Sequence, residues 1–408
     1  MGRLFFTALV NLGAYFVLRR LWPSIREGWR HQTFLALAGL SLLGLALPLV
    51  FGFGDHGVVP MVGLPLKLFS SGWLIAVGLV MLLGWPLALL LKRRAPAPAS
   101  VAPVVQVTEG GAALVAAPPV DLERRSLLVG AGRALPLFAA ATSSAGMVAG
   151  SSGFVLREVD VRLRGLPPAL DGFRIGQITD VHIGTFIDTQ YLRATVEAMN
   201  QAGVDLQVMT GDLIDDLSQL DETMAALEMC QARHGMLAIL GNHEHWRGLP
   251  AVREAYAASA RRGGPVRLLV DEAHVLEHAG HRVRVVGVDY PIGPRRSVSA
   301  KADRMRRSAE VAFRGTSPDE LVLCLSHHPD FFPLAVERGA RLTLSGHTHG
   351  GQVALLGMPL FRFAFDYMLG RYRRGEGQLY VSGGTGHWLP FRIGVPAEVT
   401  LVTLRAEA

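Results

Sequence analysis

Three long apolar stretches open the sequence and constrain its fold more than any other feature. They cover residues 4–18, 34–53 and 73–91. A helix needs roughly 17 to 25 apolar residues to cross the hydrocarbon layer of a membrane. The second and third stretches are long enough, whereas the first is short and could instead be a signal-like or interfacial segment. Because aromatic residues and arginines beyond residue 18 could extend or anchor it, we expect three transmembrane helices within residues 1–94.

The distribution of charge supports a membrane protein. The net charge of +6 and the pI near 9.7 could indicate a nucleic-acid partner. However, residues 1–125 hold 11 Lys and Arg against 5 Asp and Glu, whereas residues 126–408 hold 29 of each. The basic residues cluster at 19–30 and 92–94, as in loops that stay in the cytoplasm. We therefore expect a multi-pass protein of the cell membrane that has no nucleic-acid partner.

Two segments connect the apolar stretches to the rest of the chain. Residues 95–122 are rich in Pro and Ala without helical or strand periodicity, which predicts an extended or disordered linker. Residues 123–150 begin with Arg124 and Arg125 before small and apolar residues. This pattern is typical of a fourth transmembrane helix or of a twin-arginine-like export signal, and both would place the following domain outside the cytoplasm. A third alternative, an amphipathic surface helix, would leave that domain inside.

Residues 151–408 have the pattern of an α/β domain, in which short apolar runs alternate with helical periodicity. Five of the runs are each followed at once by polar residues, and they end at Ile178, Met209, Leu240, Leu325 and Leu344. Functional groups in open α/β sheets collect beyond the carboxyl ends of strands. We therefore expect these polar residues to meet in one crevice. The two cysteines, Cys230 and Cys324, belong to no closely spaced metal or redox motif and are expected to be buried free thiols.

The residues after the five runs are of the kinds that bind divalent metals. The segments are Asp180-Val181-His182, Gly211-Asp212-Leu213-Ile214-Asp215, Gly241-Asn242-His243-Glu244, Ser326-His327-His328-Pro329 and Gly346-His347-Thr348-His349-Gly350-Gly351. Imidazole nitrogens and carboxylate oxygens suit Mn, Fe, Zn or Co, and segments without thiolates argue against a structural zinc site. On an extended segment, the outer side chains of Asp-x-His and His-x-His would point the same way, towards one metal cluster. Two divalent ions with two carboxylate ligands would keep a charge near +2, which favours an anionic phosphoryl group.

Together these motifs resemble the motif set of the calcineurin-like metallophosphoesterases over about residues 170–400. The tail at 380–399 is similar to the bacterial membrane-associated branch of that superfamily, which includes lipid-sugar pyrophosphate hydrolases. The resemblance implies an α/β metallophosphoesterase domain, a four-layer αββα sandwich of two mixed sheets, after the N-terminal transmembrane α-helices. It also implies two divalent metal ions, of unknown identity, and hydrolysis of a phosphate ester or anhydride.

The resemblance also implies which residues bind the metals. The ligands of one metal would be Asp180, His182 and His349, those of the other would be Asn242, His327 and His347, and Asp212 would bridge the two. His243 would act as the general acid that protonates the departing oxygen. Asp215 would orient a ligand histidine instead of binding a metal. Of the adjacent His327 and His328 only one can face the metals, and the position of the proline favours His327.

Three further features receive weaker assignments. Glu244 is expected to stabilise its loop, and His387 is the one histidine outside the motifs that could line the cleft. Residues 353–369 are strongly apolar and directly follow a ligand loop. We expect them to form buried packing or a strand pair, and the alternative is a lipid-facing lip beside the metals.

The sequence thus predicts a membrane-anchored hydrolase of a phosphodiester or pyrophosphate, with a phosphorylated small-molecule or lipid substrate. Two alternatives stay open at this stage. One is a phosphomonoesterase or protein phosphatase, and the other is a metal-binding membrane sensor without turnover.

Overall fold

A computed structural model describes residues 2–22, 25, 28–51, 60–93, 105–108, 111–114, 122–292 and 298–407. The chain divides into two compact units, Met1–Ala145 and Gly146–Ala408. Each unit has hydrophobic clusters of its own. The domain boundaries expected from the sequence, at residues 94, 122 and 150, stay predictions.

The first unit consists mainly of helices. They are α1 (Gly2–Leu21), α2 (Gly28–Phe51), α3 (Pro60–Arg93) and α4 (Leu122–Gly150), whose last turn belongs to the second unit. Three helical segments of the described residues are long and apolar enough to cross a membrane: Leu4–Leu21, Pro65–Leu91 and Ser126–Gly150. The stretch expected at 34–53 lies in α2 as far as Phe51 and beyond that outside the described residues.

The helices of the first unit pack through small residues and a partly buried polar contact. A Cβ on Gly84 would lie 2.5 Å from Val17 and 2.9 Å from Leu135, so the glycine lets α1, α3 and α4 approach closely. Trp73 Nε1 donates to Asn11 Oδ1 at 2.7 Å, which joins α3 to α1. Such contacts are typical of helices that associate within a membrane.

Most of the predicted linker at 95–122 lies outside the described residues, but two pieces of it pair. Strands β1 (Val105–Thr108) and β2 (Gly111–Leu114) form an antiparallel ladder. These residues are extended, which is one of the two conformations expected for the linker, and the assignment of residues 95–122 as a linker stays a prediction. Valine alternates with other residues in β1, and this pattern, which suits a strand, is too short to be recognised with certainty in the sequence.

The second unit contains two six-stranded sheets. In the first sheet the strand order is β3 (Val155–Arg164), β16 (Glu398–Glu407), β4 (Arg174–Ile178), β5 (Leu206–Thr210), β6 (Met236–Ile239) and β7 (Val266–Leu268). In the second sheet it is β14 (Gly370–Arg374), β15 (Gly377–Val381), β11 (Leu342–Ser345), β10 (Leu321–Ser326), β9 (His281–Val288) and β8 (Glu272–His278). A separate pair, β12 (Ala354–Leu355) and β13 (Met358–Pro359), forms a hairpin.

The two sheets face each other, with helices on their outer sides. Val208 of the first sheet and Val285 of the second lie in one buried cluster. The helices are α5 (Thr189–Ala202), α6 (Leu220–Leu227), α7 (Asn242–Arg247), α8 (Leu249–Arg261), α9 (Val298–Ala312) and α10 (Phe332–Glu337). Leu192 of α5 packs against the first sheet, and Met305 of α9 against the second. This is the four-layer αββα sandwich that the sequence predicted.

Local signals fix the helices that cover the sheets. Asp188 caps α5, because its side chain accepts a hydrogen bond from the backbone N–H of Tyr191 at 2.9 Å. The helix ends at Gly203, which adopts the left-handed conformation with φ of 64°. Both cysteines are free and buried, as expected.

The apolar segment at 353–369 differs from the favoured expectation. It contains the expected strand pair, β12 and β13, but most of its side chains are exposed. The prediction of buried packing is therefore wrong for most of this segment. The rule that apolar residues are buried does not hold for this segment.

Candidate metal centre

Five strand ends from both sheets converge on one site. Strands β4, β5 and β6 are parallel neighbours in the first sheet, and β10 and β11 are parallel neighbours in the second. Their carboxyl ends lie within one residue of the ends of the apolar runs in the sequence. The described residues include three groups of side chains whose ligand atoms all lie within 4.8 Å of one another. These groups are Asp180 with His182 and His349, His182 with Asp212 and His243, and Asp212 with His327 and His347.

The first group joins the loops after β4 and β11. His182 Nε2 lies 3.1 Å from His349 Nε2, and Asp180 Oδ1 lies 3.5 Å from the same nitrogen of His349. All three residues are buried. Ligand atoms on a metal with bonds of about 2.1 Å lie roughly 3.0 to 3.4 Å apart, so this spacing fits one divalent ion.

The group of Asp212, His327 and His347 joins the loops after β5, β10 and β11. His327 Nε2 lies 3.2 Å from Asp212 Oδ2 and 3.2 Å from His347 Nδ1. The same oxygen of Asp212 lies 3.8 Å from His182 Nε2 of the first group. Asp212 therefore stands between the two groups, where one carboxylate could contact two ions.

Five residues of these groups adopt the left-handed backbone conformation. The φ angles are 54° for Asp180, 58° for His182, 54° for Asp212, 73° for His347 and 49° for His349. Residues other than glycine rarely adopt it, and such strain is concentrated at functional sites. The expectation that these segments are extended is therefore wrong. Their side chains converge because the chain turns sharply at the strand ends, not because of strand alternation.

The adjacent histidines after β10 point in different directions. His327 Nδ1 donates to the backbone oxygen of Thr210 at 2.8 Å, which leaves Nε2 free to bind a metal. His328 instead accepts from the backbone N–H of Asp330 through Nδ1 and lies 2.9 Å from Lys301 Nζ through Nε2. His327, and not His328, thus faces the two groups.

Asn242 begins α7 at the end of β6 and is buried. Within the described parts of the chain, its Oδ1 atom has no hydrogen-bond partner. A buried acceptor without a donor is costly, and a metal ion would satisfy it. Together with the spacing of the imidazole nitrogens, this orphaned oxygen shows that the residues present fit two divalent ions.

His243 lies at the edge of the site and contacts two carboxylates. Its Nδ1 forms a short hydrogen bond with Asp215 Oδ1, and its Nε2 lies 3.8 Å from Asp212 Oδ2. Asp215 Oδ2 also lies 3.4 Å from His182 Nδ1, and Arg247 Nε donates to Asp215 Oδ1 at 3.2 Å. Asp215 thus contacts both His243 and a residue of the first metal group, and it belongs to none of the three groups itself.

Glu244 holds the loop that carries Asp212. One of its carboxylate oxygens accepts from the backbone N–H groups of Gly241 at 2.7 Å and Asp212 at 3.1 Å. The other accepts from those of Leu213 at 2.6 Å and Ile214 at 3.3 Å. Glu244 is buried, and its burial and the neighbouring charge of Asp212 raise its pKa.

Opposite charges stabilise one another across the site. Burial opposes a charge on His327, but the attraction of Asp212 and Asp180 outweighs it and raises the pKa of His327 to about 9. Burial also opposes the charge of Asp212, but the attraction of His327 outweighs it and holds the pKa of Asp212 well below its usual range. Burial and nearby cationic side chains lower the pKa of His347 and His349 well below the usual value. The attraction between His327 and Asp212 thus favours the ionised carboxylate in the metal-free site, and a bound metal ion would replace the proton on His327.

Arg392 is part of the site although its role was not recognised from the sequence. It is buried, and its guanidinium donates to the backbone oxygens of Gly383 at 2.9 Å and Gly386 at 2.6 Å. Its Nη2 atom lies 3.5 Å from His349 Nδ1. Burial lowers the pKa of Arg392 to about 10. The only signal in the sequence was its place in the tail motif.

Two aromatic side chains lie beside the same site. The Tyr290 ring centroid lies 5.9 Å from that of His327 and 5.6 Å from that of His347, and no sequence motif marked this tyrosine. His387 is buried, and its ring lies 6.4 Å from that of Phe186. Burial lowers the pKa of His387 to about 3, with a further contribution from Arg392.

A family model for calcineurin-like phosphoesterases matches residues 173–351. An uncharacterized metallophosphoesterase of Helicobacter pylori is 26% identical over 231 residues, which are 56% of this chain and 58% of that protein. A transmembrane protein with metallophosphoesterase domain from Danio rerio is 27% identical over 278 residues, which are 61% of this chain and 56% of that protein. The chain therefore spans little more than half the length of these relatives. A solved structure of a dimetal phosphatase from Danio rerio is 15% identical and covers 52% of this chain and 88% of its own, with a TM-score of 0.32.

Proposed function

Residues 173–351 of this chain are a calcineurin-like phosphoesterase domain, and from this premise we propose that the protein is a membrane-associated hydrolase of phosphodiester or pyrophosphate bonds. The domain belongs to a family of metal-dependent phosphoric ester hydrolases, and its clustered Asp and His side chains fit two divalent metals. The observation that carries the proposal is the position of Asp212 between two groups of metal-binding side chains, with His243 beside them.

We assign the ligands as two sets that share one carboxylate. Asp180, His182 and His349 would hold one ion, and Asn242, His327 and His347 would hold the other. Asp212 would contact both, because one of its oxygens lies within 3.8 Å of a nitrogen from each group. When bound, the two ions would supply a positive field for the phosphoryl oxygens and lower the pKa of a water molecule.

His243 would donate the proton that the departing oxygen requires. Its Nδ1 is engaged by Asp215, so its Nε2, on the side of Asp212, is the atom free to face a substrate. Asp215 would keep the ring in this orientation, in which Nε2 can donate a proton. Glu244 and Arg392 would act indirectly, by holding their loops in place. Neither contacts the space between the two ligand sets, where a phosphoryl group would lie.

The membrane supplies the second part of the proposal. Among the described residues, three helical segments could cross a membrane, and a relative is a transmembrane protein. The basic segments 19–30 and 92–94 lie on the same side of the membrane when the stretch at 34–53 spans as well. This four-span arrangement would keep both segments in the cytoplasm and place the catalytic domain on the opposite side. A lipid or cell-envelope molecule that carries a phosphodiester or pyrophosphate would be the substrate.

The test uses the purified full chain in detergent with manganese and bis-(p-nitrophenyl) phosphate, and metal content is measured in parallel. Asp212→Asn is expected to abolish turnover and reduce bound metal. His243→Ala is expected to lower turnover by about 100-fold or more while two metal ions per chain stay bound. Asp319→Asn and His281→Ala, which change residues far from the motifs, serve as matched controls.

Three results would contradict parts of this proposal. Loss of metal from His243→Ala would make this histidine a ligand instead of the acid, as its place in one of the three groups allows. Faster turnover of p-nitrophenyl phosphate than of the diester would indicate a monoesterase. Stoichiometric metal without turnover of either substrate would indicate a binding module.

A further inference from the structure

The hairpin formed by β12 and β13 is apolar and exposed at its tip. Its turn consists of Leu356 and Gly357, which both have positive φ, at 51° and 79°. Two-residue turns of this kind strongly favour Asn-Gly or Asp-Gly, and a bulky residue with positive φ is strained. The side chain of Leu356 is also 92% exposed. Neither the stability of the turn nor that of the core explains a leucine at this position.

The exposed apolar surface continues along the chain from this tip. It comprises Leu355, Leu356, Met358, Leu360, Phe361 and Phe363. Phe363 is 83% exposed, and the neighbouring Arg362 is exposed as well. Contiguous apolar patches on the surface of a protein mark a surface that contacts a membrane or another molecule. We call residues 355–363 the apolar hairpin segment.

Backbone hydrogen bonds connect this segment to the last turn of α4. Ala354 donates to the backbone oxygen of Ile393 at 2.7 Å, and Ile393 donates to that of Gln352 at 2.9 Å. The preceding residue, Arg392, donates to the backbone oxygen of Gly146 at 2.9 Å. A Cβ on Gly146 would lie 2.3 Å from the ring of Phe391, so this ring packs directly on the helix.

The last turn of α4 is the end of a segment, Ser126–Gly150, that is long and apolar enough to cross a membrane. The hairpin is thus fixed by a few residues of loop to the point where this helix would leave the bilayer. Trp388 lies four residues before Arg392 and is half exposed. Tryptophan is enriched at membrane interfaces. A lipid surface at this end of the helix would therefore be within reach of the exposed leucine and phenylalanines.

The chain on both sides of the apolar hairpin segment leads to the metal centre. His349 is three residues before Gln352, where the hairpin is anchored. On the other side, the ring of Phe365 lies 5.8 Å from the ring of His347. A surface that contacts lipid at this place would bring headgroup phosphates towards the ligand residues.

We propose that residues 355–363 form a membrane-docking hairpin, which inserts its leucines and phenylalanines between the lipid headgroups beside α4 and presents headgroup phosphates to the metal centre. Arg362 lies within the segment, where its guanidinium can bind a lipid phosphate while its stem stays among the apolar side chains. The presentation of phosphates rests on the proposed function, whereas docking itself does not depend on catalysis.

Docking is tested with the full chain in nanodiscs of phosphatidylethanolamine and phosphatidylglycerol. Leu356→Cys is labelled with the fluorophore NBD, and the wild type measures background labelling of Cys230 and Cys324, which are buried. The matched control is Ala279→Cys at the turn of the β8 and β9 hairpin, where Ala279 and Gly280 also have positive φ, at 48° and 79°. We expect a blue-shifted emission at position 356 that nitroxide-labelled lipids quench, and neither effect at position 279.

Two results of this experiment would overturn docking. The first is the same emission and quenching at both positions. The second is a blue shift at position 356 that depends on protein density but not on nitroxide lipids, which would mean that a second copy of the chain covers the hairpin.

Leu356→Asn then tests the consequence for the substrate. Asn favours this turn, so the variant is expected to fold at least as well as the wild type. Without this leucine the hairpin binds the membrane more weakly. The KM for a membrane-embedded phosphodiester is therefore expected to rise roughly tenfold or more, with turnover of bis-(p-nitrophenyl) phosphate unchanged. Equal KM values would overturn the presentation of headgroups. If the wild type turned over neither substrate, the proposed function would fail, while the quenching result would still decide docking.

Discussion

Glu244→Gln is expected to destabilise the catalytic domain far more than its small chemical change suggests. Each oxygen of the Glu244 carboxylate accepts two backbone N–H groups, with distances of 2.6 to 3.3 Å. A glutamine has one oxygen and one NH₂ group, and the NH₂ group cannot accept. Whichever way the amide is turned, two backbone donors lose their acceptor inside the protein.

The magnitude follows from these two bonds. A hydrogen bond to a charged group contributes about 1.5 to 3 kcal/mol to the free energy of unfolding. Two lost bonds therefore cost about 3 to 6 kcal/mol. Burial and the repulsion from Asp212 raise the pKa of Glu244, and replacing the carboxylate by an amide removes both of these costs. We therefore expect a loss near the lower end of that range, which corresponds to a Tm decrease of about 6 °C or more for a domain of this size.

The assay is thermal unfolding of the full chain in detergent with EDTA, so that weaker metal binding does not contribute to the difference. Glu310→Gln, on the exposed face of α9, is the matched control. A Glu244→Gln variant whose Tm lies within about 2 °C of this control would refute the reasoning. Two buried backbone N–H groups without an acceptor must lower the free energy of unfolding. In the same variant with manganese, diester turnover is expected to fall, since the loop of Asp212 loses its support.

Two further predictions concern other carboxylates. Asp215→Asn is expected to lower diester turnover by about 10- to 100-fold while both metal ions stay bound, because the amide orients the ring of His243 less firmly; a wild-type kcat would contradict this role. The ion pair with Arg284 lowers the pKa of Glu320, so this carboxylate stabilises the fold fully above the pKa of an unfolded Glu, about 4.3, and its effect disappears as the pH falls through its folded-state pKa. The Tm difference between wild type and Glu320→Gln is thus expected to be largest near neutral pH and to shrink below about pH 4, and a difference independent of pH would argue against this linkage.

The strand ends and the metal-binding residue types could be predicted because both are local properties of the sequence. Buried parallel strands appear as continuous apolar runs, and the motif residues follow these runs directly. Ile178 ends both the apolar run and β4. The left-handed conformation of Asp180 and His182 could not be predicted, since it is imposed by backbone bonds to the neighbouring loop, such as that from Asp180 to Gly211 at 2.9 Å.

Other features depend on parts of the chain that are distant in sequence. Nothing local marks Arg392 as buried, because its acceptors become available only when the loop at 383–396 folds around it. Leu356 does carry a local signal, but that signal is misleading, because it predicts burial and the side chain is exposed. The expectation of burial comes from the average burial of leucine in proteins. This average does not identify a position where an exposed apolar side chain has a function.

The position of β16 has a consequence for the order of events during biosynthesis. This strand lies between β3 and β4, and Val155 pairs with Glu398 near the other end of the domain. Until residues 398–407 have left the ribosome, β3 has no neighbour in the sheet and one edge of β4 is open. The first sheet therefore closes only after synthesis of the whole domain, and such long-range pairing is slow.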